Sequence, residues 1–212
     1  MTRAIWWAAL LAGASFTLAV VYGWSGPGII AWKGAGVALL ALWAAVQARE
    51  ADGWMIAGVM ALGAAGDVLL DAQGLETGGL AFAAGHMLAV ALFLRNRRAT
   101  LSASQSLLGW LLVPLSVAIV WLLLMGQGGW WHGAIYTAFV AAMAAAAWTS
   151  RFPRYRTGLG AILFLVSDLL IFARLGGAVP DRAATLLIWP LYFGGQALIV
   201  LGVVRTSRGE RV

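Results

Sequence analysis

Between Ile5 and Val204 the chain is a nearly unbroken series of apolar stretches, each about as long as a bilayer is thick. A span needs roughly 20 apolar residues at the rise of an α-helix. In hydrocarbon every backbone polar group must find its partner inside the chain, which restricts each stretch to a helix. Spans are expected near 4–22, 29–48, 54–71, 79–94, 107–125, 131–149, 159–175 and 183–204. Turn signals separate several of them: Ser25-Gly26-Pro27-Gly28, Gly126-Gln127-Gly128-Gly129, Phe152-Pro153 and Gly176-Gly177. The expected fold is all-α: a polytopic membrane bundle of about eight transmembrane helices, forming one domain over residues 1–212. Only 10% of the residues are charged, against about 25% in soluble domains, too few to cover a water-facing surface. Met1-Thr2-Arg3 ahead of an apolar run resembles a signal peptide. The run from Ile5 to Tyr22 is long enough to span, however, and no convincing cleavage site follows it, so it reads as the first span.

The net charge of +6 is a topology signal. Arg3, Arg49, Arg95, Arg97, Arg98, Arg151, Arg154, Arg156, Arg205, Arg208 and Arg211 all fall on one side of the expected bundle. Of the 14 Lys and Arg, only Arg174 and Arg182 fall on the other side, and Lys33 sits within a span. The positive-inside rule then puts both termini in the cytoplasm. The expected location is a bacterial inner membrane, as a multi-pass integral protein. The same pattern argues against nucleic acid as a partner and for contact with anionic headgroups.

Ionisable groups within spans are costly and mark function by default. Here they are Lys33 in helix 2, Asp67 and Asp71 in helix 3, His86 in helix 4 and Asp168 in helix 7, with Arg174 at the end of helix 7. Tyr192 and Gln196 add uncharged polarity in helix 8. All fall between mid-bilayer and the non-cytoplasmic surface. Asp67 and Asp71 share a helix face, as do Tyr192 and Gln196. One polar pocket lined by helices 2, 3, 4, 7 and 8 would collect them. Plainer readings stand beside this one. Asp71 and Arg174 also suit an interface, Lys33 also suits snorkelling, and His86 also suits a packed histidine. His132, next to Trp131, reads as interfacial. Asp67 and Asp168 are the hardest to explain by packing. With one buried His and no Cys, a zinc site is not expected, and no cofactor is called for. No Gly-x-Ser-x-Gly elbow supports a serine hydrolase.

The two aspartates stand in related contexts, Gly66-Asp67-Val68-Leu69-Leu70 and Ser167-Asp168-Leu169-Leu170-Ile171. With Gly85-His86-Met87-Leu88 and Leu191-Tyr192-Phe193-Gly194-Gly195-Gln196, in this order, the chain resembles the lysoplasmalogenase family of YhhN-like membrane proteins over nearly its whole length. It departs from the family pattern at Lys33-Gly34, Ala89 and Ala173-Arg174. The resemblance implies hydrolysis of the vinyl ether bond of lysoplasmalogens, giving a fatty aldehyde and a glycerophospho-base. The lysophospholipid substrate and the surrounding membrane lipid would be its partners.

A vinyl ether is cleaved by acid, through protonation of carbon and an oxocarbenium ion that water then attacks. Two carboxyls brought together away from water suit that chemistry, one carrying a proton while the other carries charge. Asp67 and Asp168 are the candidate pair, with Asp168 favoured as the acid and His86 helping to move protons. Tyr192 and Gln196 are candidates for holding water or a substrate hydroxyl. Lys33 and Arg174 are candidates for the phosphate, and Asp71 for a cationic headgroup. The rival reading is a proton-coupled small-molecule or lipid transporter, because the Gly/Ser-Asp-x-Leu context in both halves is what an internal duplication leaves.

Overall fold

The computed structural model describes residues 2–128 and 130–210. Gly129 of the expected turn, Arg211 of the basic set, and Met1 and Val212 lie outside the described residues. Eight α-helices follow one another: α1 (Thr2–Tyr22), α2 (Pro27–Ala45), α3 (Ala51–Gln73), α4 (Leu75–Arg95), α5 (Ala103–Leu124), α6 (Trp130–Thr149), α7 (Leu159–Leu175) and α8 (Asp181–Ser207). A π-helical turn, Arg154–Gly158, leads into α7. Among the described residues there is no strand, only an isolated bridge between Arg97 and Ser150.

Seven of the helices are long and apolar enough to cross a membrane. The eighth, α6, opens on Trp130, Trp131 and His132 and carries Tyr136 and Thr137, so its apolar character comes mostly from alanine. It lies against α4, α5 and α7, where small side chains serve close packing better than bulk.

The helices outrun the apolar segments that announce them. α3 begins at Ala51 and α4 at Leu75, and α8 ends at Ser207. Polar residues such as Asp52, Glu76 and Arg205 continue the helical ladder beyond the hydrocarbon. The start of α5 is set by side chains: Ser102 accepts from the Gln105 N–H at 3.4 Å, while the Ser102 N–H donates to Gln105 Oε1 at 2.8 Å. This reciprocal pair satisfies two backbone groups that a helix start otherwise leaves open. α3 and α4 are joined through Gly74 alone, whose φ of 100° is one that glycine adopts without strain.

α8 is the hub, packing on α1, α2, α3, α7 and the π turn, whereas α5 lies outside against α6 and α7. Glycines permit the tightest contact. A Cβ on Gly160 of α7 would sit 2.6 Å from the Gly195 carbonyl of α8, and one on Gly195 would sit 2.6 Å from the Gly160 carbonyl. Among the described residues, the backbone of α4 comes close only to those of α3 and α6, and that of α3 comes close to α8 but to neither α6 nor α7. The centre of the bundle is therefore closed by side chains, with backbone contact absent there.

The arginine-rich end is tied across its connections. Asp52 at the start of α3 faces Arg95 and Arg151, each at 3.1 Å. Arg151 also donates to Asn96 Oδ1 at 2.6 Å, and Arg98 donates to the carbonyls of Ser150 and Phe152. These bonds fasten the connection after α4 to the one after α6. Asp52 is a buried carboxylate just outside the expected spans, because the apolar run begins at residue 54.

Candidate functional site

At the opposite end the helices splay around a cavity of about 1260 Å³. Asp67, Asp168, Tyr192, Lys33, Asp71 and Arg174 all line it. The two carboxyls thus open on one space, although they come from helices α3 and α7 that make no backbone contact. Their depths agree. Asp67 lies about 9 Å below the end of α3 and Asp168 about 10 Å below the end of α7, at 1.5 Å per residue. Both are buried, with 3% and 6% of their surface exposed.

Each carboxyl receives a phenol from another helix. Tyr192 of α8 donates to Asp67 Oδ2 at 2.8 Å. Tyr136 of α6 donates to Asp168 Oδ2 at 2.8 Å, with Ser167 Oγ at 3.4 Å from the other oxygen. A buried polar group without a partner is costly, so these bonds fix the carboxyls in position. Gln196 stands one turn along α8 and donates to the Tyr192 oxygen at 3.5 Å. His86 Nε2 lies 3.2 Å from the Tyr136 oxygen. That phenol has one hydrogen and gives it to Asp168, so in this contact the imidazole nitrogen is the donor. His86, Tyr136 and Asp168 form one continuous string.

Aromatic rings separate the two pairs. Phe164 packs edge-on against Tyr192 at 5.0 Å and against His86 at 5.1 Å between centroids. Phe82 meets Tyr192 at 5.9 Å and Phe164 at 6.3 Å. These rings close the bundle beneath the cavity, so the polar groups above them are held in an apolar frame.

The sequence-predicted residues divide into three layers. Asp67, Asp168 and Tyr192 are deep in the cavity wall. His86 and Gln196 stand behind that wall, each reaching it through a tyrosine. Lys33 and Asp71 lie nearer the mouth and pair with each other at 2.7 Å. Arg174 is partly buried, with Thr185 Oγ1 at 3.5 Å from Nη1. His132 also lines the cavity, near its rim.

Sequence reasoning missed Tyr136. A tyrosine within a few residues of Trp130 and Trp131 reads as part of an interfacial belt. Its position about two turns into α6 was the available signal, because a phenol that deep needs a polar partner. Ser167 enters the sequence pattern only as the neighbour of Asp168, and its one hydroxyl hydrogen goes to the nearer Phe164 carbonyl, at 2.6 Å.

The sequence matches the YhhN family over residues 28–203, a stretch running from the first turn of α2 into α8 and including every residue of the site. No curated protein and no solved structure matches the chain.

Proposed function

Since the chain belongs to the YhhN family, the lysoplasmalogenase-like family, we propose that it is a membrane hydrolase of the vinyl ether bond of lysoplasmalogens. One observation carries the reading: two buried carboxyls from different helices, each held by a tyrosine, open on the same cavity.

In the proposed reaction Asp168, as the acid, gives its proton to the vinyl carbon remote from oxygen. The double-bond electrons form the new C–H bond, leaving an oxocarbenium ion at the carbon bearing oxygen. The Asp67 carboxylate faces that cation and orients water toward it. Water adds and releases a proton, which returns to Asp168. The hemiacetal then collapses to a fatty aldehyde and the glycerophospho-base. Tyr136 positions the acid and connects it to His86, while Tyr192 and Gln196 position the anion. Arg174 is the cation proposed to meet the lipid phosphate, with Lys33 contributing once its pairing with Asp71 is shared. Trp130 and Trp131 at the rim, with Asp71, suit a cationic headgroup.

The distribution of arginine supports an orientation with both termini in the cytoplasm and the cavity opening to the other side of a bacterial inner membrane. The string from His86 through Tyr136 to Asp168 also suits a proton-coupled carrier. Purified protein separates the two readings. Free aldehyde released from a lysoplasmalogen in detergent supports the hydrolase. Flux across liposomes with every substrate molecule recovered intact overturns it.

A further inference from the structure

The cavity wall is uneven in a way that bears on how a lipid reaches the carboxyls. Lining residues of α1 and α2 that lie within the helices, such as Phe16, Ala19, Ile30 and Lys33, are buried or half-buried. Most exposed lining residues, Leu75, Trp130 and Leu175 among them, stand at helix ends. Leu80 and Ile135 break this pattern. Each lies about 7.5 Å into its helix, α4 and α6 respectively. Yet Leu80 is 72% exposed and Ile135 is 52% exposed, and both line the cavity.

α4 and α6 are packed neighbours, so these two side chains mark the outer edge of a single seam. One turn deeper on the same helices, Ala83 and Phe139 line the cavity and are half-buried. Tyr136, which holds Asp168, lies between Ile135 and Phe139 on α6. Apolar lining residues of α4 and α6 therefore extend from exposed positions inward, toward the part of the wall where Tyr136 and Asp168 stand. The mouth of the cavity differs, because Lys33, Asp71, Glu76 and Arg174 make it polar. At about 1260 Å³ the space exceeds the roughly 300–1,000 Å³ of ordinary small-molecule sites.

We infer that the seam at Leu80, Ala83, Ile135 and Phe139 is a lateral portal, through which the hydrocarbon chain of a single-chain amphiphile passes between bilayer and cavity while its headgroup stays at the polar mouth. The inference rests on the lipid-substrate reading above. The observations that carry it are the exposure of two aliphatic side chains on the cavity wall more than a turn inside their helices, and the apolar lining residues one turn deeper on the same helices.

The test uses the full-length protein in phosphatidylcholine nanodiscs, with a lysophosphocholine whose chain carries a diazirine at its far end. Photolabel is expected on the α4 and α6 peptides, and label confined to α1, α2 or α5 overturns the portal. Filling the seam with Leu80→Trp and Ile135→Trp is expected to cut labelling about fivefold and to lower the ratio of long-chain to butenyl-substrate cleavage about tenfold. Unchanged labelling in that variant overturns the portal. The opposite pair, Leu80→Ala and Ile135→Ala, is expected to keep labelling at or above the original level. A fall matching that of the tryptophan pair would show that the side chains act by packing, against the inference. Labelling on α4 and α6 without aldehyde release retains the portal and sinks the hydrolase. Aldehyde release with label elsewhere does the reverse.

Discussion

Tyr136 meets Asp168 on one side and His86 on the other. Its role makes a specific expectation. Tyr136→Phe keeps the ring and its contact with Phe172 but removes the bond to Asp168 and the link to His86. Aldehyde release should fall about 10- to 100-fold, less than the roughly 100- to 10,000-fold that a positioned acid–base group itself contributes, because the phenol acts through Asp168. Substrate KM should change little, because no headgroup contact is lost. The companion Tyr192→Phe should also lower the rate, through the position of Asp67. A Tyr136→Phe protein with unaltered aldehyde release would remove the phenol from the proposed mechanism. Asp67 and Asp168 stand out in the sequence because a carboxyl in an apolar run has few structural uses. Tyr136 does not, because it bonds Asp168 across a sequence separation that no local pattern encodes.

Elements were read from hydropathy, and their number and order follow from it because lipid forces each apolar run to satisfy its own backbone. Their ends were less legible. A helix continues past the hydrocarbon wherever polar side chains tolerate it, as Asp52 and Arg205 do, and stops where side chains or glycine intervene, as at Ser102 and Gly74. The π turn at Arg154–Gly158 follows Phe152-Pro153, which in the sequence signals only a turn. The clasp around Asp52 joins elements far apart in sequence and is equally invisible to a local reading. It yields an asymmetric expectation. Asp52 is buried, whereas Arg95 and Arg151 are about half exposed. Arg95→Ala with Arg151→Ala strands a buried carboxylate and should cost about 2–4 kcal/mol. Asp52→Ala leaves two solvated arginines and should cost less, about 1 kcal/mol. Thermal unfolding in detergent measures both. Equal losses would mean that Asp52 depends little on its counter-ions.

For the molecule as a whole, the distribution of arginine and the place of the cavity fit together. The clasp and the basic connections occupy one end, and the carboxyl cavity opens at the other. The chain has no cysteine, so single cysteines report sidedness without background. Thr100→Cys, exposed between α4 and α5, should react with a membrane-impermeant maleimide only after spheroplasts are lysed. Gln73→Cys, exposed beside Gly74 at the cavity end, should react in intact spheroplasts. The reverse pattern would invert the proposed orientation and place the cavity on the cytoplasmic side. That the polar residues fall between the middle of the bundle and one end could be read from the spans. That they divide into wall, backing layer and mouth could not, because this depends on how helices rotate about their own axes as they pack.

The most direct test of the carboxyl pair is aldehyde release from a lysoplasmalogen by purified Asp67→Asn, Asp168→Asn and double-variant protein. Each single change should lower the rate at least about 100-fold, and the double change should fall little further, because groups acting as one unit are not additive. A single variant that cleaves at the original rate, or a double variant whose loss is the product of two small ones, would contradict the account.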